Sequence, residues 1–329
     1  MDVTRIPVET VIGALRAAGE ATRLRILALL AEGELTVKDL TAILGQSQPR
    51  ISRHLKLLAE ARLIDRHPEG AWVFYRLADD GAQRKLAANI FALMDADDPA
   101  LAQDRERLTA VKREHAEVAR RYFTENAADW DTIRALHVAD AAVEAAMLEA
   151  LGDRQFDSLL DLGTGTGRML ELLAPLYSRA VGIDASAAML AVARANLDKG
   201  SIANAQVRLG DIQHLPFGRN AFDVVTIHQV LHYLDEPERA IAEAARVMRP
   251  GGRLLIADFA PHALEFLREE HAHRRLGFAR GTLKSWFEAA GLKLEDARDL
   301  GSDASGKLTV TIWLARDRRI AIAGSREVA

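Results

Sequence analysis

The chain of 329 residues is 49% hydrophobic and 27% charged, with a net charge of −4; it is long for one compact core and fits two globular domains. With no cysteine, it excludes disulfides, thiolate metal ligands and cysteine nucleophiles. No apolar run approaches the roughly 20 residues that cross a bilayer and no signal-peptide core opens the chain, so a cytoplasmic location with no membrane partner is expected.

Four short helical patterns occupy residues 8–60. The third starts at Thr36, an N-cap with Asp39 at capping-box distance, and ends at Gly45; Ser47 is the expected cap of the fourth. Strand-like runs at 62–66 and 72–77 flank a turn at Pro68-Glu69-Gly70. A helix over 78–98 ends in the acidic stretch from Asp95 to Pro99, the expected linker. A longer helix follows over 100–125. Leu101, Leu108, His115 and Tyr122 share one heptad position, and Val111 and Val118 the other, but Asp104 breaks the seam. A dimerisation helix and a helix folded onto its own domain both fit. From Phe156 the texture changes: apolar runs at 158–162, 180–184, 207–211, 222–228 and 252–258 alternate with helical patterns, as buried parallel strands do. Further strands are expected at 308–314 and 293–300. The alternation predicts a doubly wound α/β sheet.

The overall acidity leaves nucleic-acid contact to a local patch. Arg50, Arg53, Lys56, Arg62, Arg66 and Arg76 face only Glu60, Asp65 and Glu69 in the same stretch. From Ser47 to Leu58, short polar and basic side chains share one helix face while Leu55 and Leu58 anchor the other, the division a helix needs to enter a major groove. The following hairpin, "EGAWVFY", supplies a wing beside Arg76. A small helical protein-binding domain is the alternative. The strings "EATRLRILALL", "ELTVKDL", "SQPRISRHLKLLAEARLIDR" and "EGAWVFYRL" resemble the ArsR/SmtB winged-helix repressors over residues 8–95. That resemblance implies a homodimer on a palindromic operator. Gln48, Arg50, Ser52, Arg53 and His54 become its base- or phosphate-facing residues, and Lys56 and Arg76 further DNA contacts. Where metal-sensing members carry a cysteine pair, this chain has Thr36 and Lys38, so no metal site is expected there.

The string from Leu159 to Gly167, "LLDLGTGTG", ends a strand and opens a helix, where glycines let the backbone approach a ligand. A dinucleotide fingerprint wants Gly or Ala at 168, and Arg168 stands there. Asp161 would oppose a pyrophosphate but suits the ammonium of S-adenosylmethionine (SAM). Asp184, about twenty residues on, can accept from ribose hydroxyls. Asp211, followed by Ile212, can take an adenine amino group. The run 222–228 leads to His228, where the sulfonium would lie. "DLGTGTG", "VGIDASAAML", "GDIQHLPF" and "FDVVTIHQVLHYLDEPERAIAEAARVMRPGGRLLIADF" resemble class I SAM-dependent methyltransferases of the ubiquinone/menaquinone C-methyltransferase branch, over residues 125–315. The resemblance implies SAM or S-adenosylhomocysteine (SAH) as ligand, held by Asp161, Gly163, Thr164, Gly165, Gly167, Asp184, Ala185, Met189, Asp211, Ile212 and His228. It also implies a lid carrying Tyr122, Phe123 and Trp130, with core packing of these rings as the other reading. His228, His232 and Tyr233 are candidate catalytic groups, with cofactor cover or packing as the other reading. His262, His271 and His273 with Glu269 and Glu270 invite a metal reading, against which a solvated or interdomain face is preferred.

The expected architecture is therefore α/β: a winged helix-turn-helix domain (1–98), a linker or dimerisation helix (99–126) and a Rossmann-like, SAM/SAH-binding methyltransferase domain (127–329). The fusion resembles ArsR-type regulators with C-terminal SAM-binding domains that respond to SAH and control methionine and SAM-cycle genes. A regulator is the favoured reading. An active small-molecule methyltransferase with an autoregulatory DNA-binding head is the alternative.

Overall fold

The computed structural model describes residues 7–69, 72–78, 86–87, 89–90, 93–95, 97–127, 130, 140–301 and 308–319. Most of the helix expected over 78–98, the wing tip at 70–71 and residues 128–129 and 131–139 lie outside them. The chain divides into two compact units, Met1–Glu117 and Val118–Ala329.

In the first unit, α1 (Val8–Ala18), α2 (Ala21–Ala31), α3 (Val37–Leu44) and α4 (Gln48–Glu60) enclose a core of Ile26, Leu27, Leu40, Ile43, Ile51, Leu55 and Leu58. The capping box is formed: Thr36 Oγ1 accepts from Asp39 N, and Asp39 accepts from Thr36 N. Gly45 closes α3 at φ 63°, in the left-handed region. Ser47 occupies the N-cap of α4 but its side chain makes no capping bond, contrary to expectation; its carbonyl instead accepts from Arg50 N and Ile51 N. Strand β2 (Ile64–Glu69) begins later than the expected 62, because Arg62 sits at φ 55°. The amides of Arg62 and Leu63 bond to the carbonyls of Ala59 and Leu58, a Schellman closure of α4 that places Arg62 where glycine is usual. Pro68 and Glu69, expected in the turn, pair instead with Val73 and Trp72 of β3 (Trp72–Leu77), and the short β1 (Leu35–Thr36) pairs with the other edge of β3.

Helix α5 (Pro99–Asn126) passes the division between the units. Its first half folds onto the first unit. Asp104, the residue that interrupts the heptad seam, is 1% exposed and receives Arg25 Nε and Nη2, each at 2.6 Å. Leu108 enters the core, Arg107 donates to Ile43 O and Lys112 to Glu32 O, and His115 lies 3.4 Å from Asp39. A polar break in the pattern is thus a buried bidentate pair.

The second unit contains α6 (Asp140–Leu151), β4 (Phe156–Leu162), α7 (Arg168–Leu172), β5 (Tyr177–Asp184), α8 (Ala187–Lys199), β6 (Ala205–Leu209) and β7 (Phe222–His228). After a 3-10 turn (Leu231–Tyr233) come α9 (Pro237–Val247), β8 (Met248–Phe259), α10 (Phe266–Glu270), α11 (Arg280–Ala289), β9 (Leu292–Leu300) and β10 (Val310–Asp317). The seven-stranded sheet runs β6-β5-β4-β7-β8-β10-β9, parallel from β6 to β8 and antiparallel at β10 and β9. Successive side chains of β4 enter different cores. Leu159 packs with Met147, Leu170 and Leu190 on one face, and Leu160 with Ile241, Leu283 and Phe287 on the other. Both faces are covered, which is why the parallel strands read as continuous apolar runs. Arg168 forms a bidentate pair with Glu144 of α6, 2.7 Å at each nitrogen, so the residue that departs from a dinucleotide fingerprint ties two helices together. Chain order leaves β4 in opposite directions, to β5 and β6 on one side and to β7 and β8 on the other. The β4/β7 boundary is a topological switch point, the place where open α/β sheets bind ligands beyond the carboxyl ends of their strands.

Asp104→Ala strips Arg25 of its buried partner, and the expected cost is about 2–3 kcal/mol, below the full buried-pair penalty because Arg25 keeps some contact with water. Urea unfolding read by hydrogen exchange at the α2 amides measures it, while amides of β4 and β7 should keep their protection.

Candidate functional site

Four strand ends share one edge of the sheet. The loop after β4 is cradled by β5: Ile183 O accepts from Gly163 N (2.8 Å) and Thr164 N (3.0 Å). Gly163, Gly165 and Gly167 take φ of 69°, 53° and 85°. At Gly163 the need for glycine is steric as well, since an added Cβ would stand 2.4 Å from Val230 Cγ2 in the turn after β7.

Asp161, near the end of β4, is 1% exposed. Thr226 Oγ1 of β7 donates to its Oδ1 at 2.7 Å, and Oδ2 has no hydrogen-bond partner in the protein. Burial raises the carboxyl to about 6, against the lowering effect of the Thr226 and Thr164 hydroxyls. An acceptor with a bare lone pair at this depth is suited to a cationic N–H donor. At the end of β5, Asp184 Oδ2 accepts from Gly165 N (2.9 Å) and Oδ1 from Ser186 N (2.8 Å). Each oxygen keeps a second acceptor site, which a pair of hydroxyls can use. Burial raises this carboxyl too, and the amides oppose the rise. Ala185 is exposed, and Met189, in the first turn of α8, is buried. Strand β6 ends at Leu209, so Asp211 stands two residues beyond it, exposed, with Oδ1 taken by Gln213 N and Oδ2 2.8 Å from His214 Nδ1. Ile212 beside it is buried in the core. His228 ends β7, 9% exposed. Gln229 follows at φ 55°, buried, its Nε2 without a partner.

Rings gather in front of this edge. Phe123 and Trp130 touch each other and both Tyr122 and Tyr233, edge-to-face or tilted, and Trp130 Nε1 comes within 3.8 Å of where a Cβ at Gly165 would be. The Tyr122 hydroxyl lies 2.6 Å from His271 Nδ1, and burial pushes its phenol up to about 12. Burial also holds Tyr233 well above its ordinary value. Among the candidate catalytic groups, His232 is 1% exposed, with Nδ1 2.7 Å from Asp258 Oδ1. Sequence reading missed Asp258, Gln229, Val230 and Thr226; an acid inside the apolar run "LLIADF" was the one available signal for Asp258. His262 and His273 stand against Phe259, and burial brings His262 down to about 4. Among the described residues no group of three or more His, Cys, Asp or Glu is placed to hold a metal ion, and no helix is long and apolar enough to cross a membrane.

On α4 the two faces separate as the sequence requires. Gln48, Arg50, Ser52, Arg53 and Lys56 are exposed, and Ile51, Leu55 and Leu58 are buried. His54 departs from the expected DNA-facing set. Its ring turns inward to lie 3.6 Å from Glu20 Oε2, with a side chain 12% exposed, and burial lowers its pKa against the pull of Glu20. Arg76 is half-buried, 3.6 Å from Glu34.

The raised Asp161 pKa carries a stability consequence of definite sign. The native state holds the proton more tightly than the unfolded chain, so the contribution is complete below about pH 4 and is lost as pH rises through about 6. Asp161→Asn should therefore match the native protein near pH 4 and exceed it at pH 8 by roughly 1–3 kcal/mol, read as the difference of two urea-stability curves against pH.

Residues 160–256 match the family described as "Methyltransferase domain", and residues 20–66 the family described as "Bacterial regulatory protein, arsR family". The chain is 40% identical over 128 residues to an uncharacterized 37.1 kDa protein in a transposon of Streptomyces fradiae, covering 37% of this chain and 36% of that one. It is 38% identical over 117 residues to the ubiquinone/menaquinone biosynthesis C-methyltransferase UbiE of Teredinibacter turnerae, covering 34% of this chain and 47% of that one. The chain thus spans half or less of the length of these relatives. Among solved structures, the YcgJ protein of Bacillus subtilis aligns with a TM-score of 0.46 at 20% identity, covering 54% of this chain and 98% of that one. Residues 20–66 thus match an arsR-family helix-turn-helix domain, and residues 160–256 a methyltransferase domain that lies within the Rossmann-like sheet.

Proposed function

We propose that this protein is a DNA-binding transcriptional regulator, repressor-like, whose methyltransferase-fold domain takes SAH or SAM as its effector. The observation that carries the reading is Asp161 Oδ2, an acceptor buried without a partner behind a glycine loop in which Gly163 has no room for a Cβ. The donor set fits the ligand. Asp161 receives the ammonium, Gln229 Nε2 suits the carboxylate, and the backbone of Gly163, Thr164, Gly165 and Gly167, whose amides are held by Ile183, Asp184 and Thr164, lines the approach. Asp184 takes the ribose hydroxyls. Ala185, Met189 and Ile212 flank the adenine, whose amino group reaches Asp211. His228, with Tyr122 and Trp130, covers the sulfur. Gln48, Arg50, Ser52, Arg53 and Lys56 meet a palindromic operator as a homodimer, with Arg76 from the wing. Methionine and SAM-cycle genes are inferred as targets from the resemblance of the fusion alone.

Methyl transfer to a small molecule is the second reading. It is favoured by the C-methyltransferase names of the relatives and by the buried His232–Asp258 pair.

A gel-shift titration separates the two readings. SAH should lower operator affinity by roughly 5–150-fold, and linkage then requires operator DNA to weaken SAH binding by the same factor. Unchanged operator affinity at saturating SAH and SAM would end the effector reading. Asp184→Ala should keep DNA binding and lose the response, since the side chain holds the Gly165 and Ser186 amides of the ligand loop.

Arg53→Ala should weaken operator binding by about 1–3 kcal/mol if its guanidinium reads a base bidentately. His54→Ala, removing a ring that faces Glu20, should leave base preference intact in a binding-site selection.

A further inference from the structure

The turn after β7 fixes an imidazole for which the effector reading has no use. Asp258, fully buried on β8, accepts from three N–H groups: Leu231 N at 2.9 Å, Phe259 N at 2.8 Å and His232 Nδ1 at 2.7 Å. A carboxylate only accepts, so the neutral His232 ring holds its proton on Nδ1 and leaves the lone pair on Nε2. Nε2 is buried and has no hydrogen-bond partner in the protein. The ring's backbone is clamped as well, because His232 O accepts from the amides of Arg274 (2.8 Å) and Arg275 (3.0 Å). Around the imidazole stand the rings of Tyr233, His273 and Phe259, at centroid distances of 4.1, 4.2 and 4.8 Å, with Phe123 edge-on to Tyr233.

An oriented base with one bare nitrogen, set among flat rings, suits an aromatic acceptor that must lose a proton. Aliphatic hydroxyls are too weakly acidic for an imidazole, whereas phenols ionise near about 10. We propose that His232 Nε2 is a general base for methyl transfer to a phenolic hydroxyl, and that Asp258 is its positioning residue. The proposal rests on the reading of this domain as SAM-binding. Bound SAM supplies an electrophilic methyl group. As the phenolic oxygen bonds to the methyl carbon, the carbon–sulfur bond breaks and its electron pair stays on sulfur, giving SAH and an aryl methyl ether. His232 Nε2 takes the hydroxyl proton and returns it to water after release. The ring layer of Tyr233 and Phe123 parts to admit the acceptor.

The test uses the full chain. Nitrogen NMR of ring-labelled histidine should find His232 protonated at Nδ1 and bare at Nε2, and Asp258→Asn should reverse that tautomer. With methyl-labelled SAM and catechol, 4-nitrocatechol and 2-naphthol as probes, methyl ethers should form. His232→Gln should lower kcat on the order of 100-fold while the phenol KM and the SAH affinity stay within about threefold. Asp258→Asn should lower kcat alongside the tautomer reversal, which keeps the test open if His232→Gln fails to fold. The proposal is overturned if the native protein binds SAH yet methylates none of the three phenols, if His232→Gln turns over normally, or if Nε2 carries the proton. A native protein that binds neither SAH nor SAM in calorimetry overturns the ligand reading itself, and this proposal with it.

Discussion

The candidate site of the second unit depends on one acid buried near the end of β4. Asp161 has few ways to offset the loss of water: one hydroxyl bond from Thr226, and the nearby hydroxyl of Thr164. A polar group left short of partners in an apolar interior is costly, and a leucine or asparagine would relieve that cost. In the proposed reading, a ligand ammonium offsets that cost by completing the carboxylate. The surrounding geometry is organised to keep it in place. Thr226 reaches it only because β4 and β7 are parallel neighbours with Asp161 opposite Thr226. Val230 closes on Gly163 from the same side, and Asp184 draws the Gly165 amide from the other. The glycine loop is thus gripped by both neighbouring strand ends, and a preorganised loop loses little entropy when a ligand arrives.

The first unit rests on a different polar contact. Arg25 and Asp104 join α2 to α5 through two charge-assisted bonds, and Leu108 follows one turn later into the same core. This pairing commits the first half of α5 to its own unit. It also supports the recognition helix indirectly, since α2 carries Leu27 and Leu30 into the core shared with Ile51 and Leu55. The inward turn of His54 toward Glu20 leaves the outward face of α4 to Gln48, Arg50, Ser52, Arg53 and Lys56.

Much of this was legible from local chemistry. Thr36 with Asp39 and the glycine at 45 declared their helix, because caps act within four residues. The apolar runs declared the parallel strands, because burial on both faces leaves no polar alternation. What stayed hidden depends on partners distant in the chain. Asp104 read as a flaw in a seam because Arg25 lies 79 residues earlier. His54 read as part of a polar face because nothing local shows that Glu20, the N-cap of α2, lies against it. Arg62 broke a rule, a long side chain in the left-handed region, and so moved the start of β2. The His232–Asp258 pair spans 26 residues and two strands, and becomes visible only once β7 and β8 are adjacent.

The effector and enzyme readings draw on the same loop and differ in what lies beyond the sulfur. A sensor needs only that SAH or SAM bind one DNA-binding state better than the other, since a ligand shifts an equilibrium by its differential affinity and nothing else. For that, Asp161, Asp184 and the glycine loop suffice, and the acceptor side is free to close over with packed rings. An enzyme must in addition keep a place for the acceptor and, where the acceptor holds a proton, a base to receive it. The ring layer of Phe123, Trp130 and Tyr233 fits either demand. The His232 nitrogen does not. A nitrogen buried without a partner and braced by an acid that, among the described residues, bonds no other side chain is a cost that ligand binding alone does not offset. That asymmetry is why the imidazole, rather than the ligand loop, is the feature on which the two readings divide.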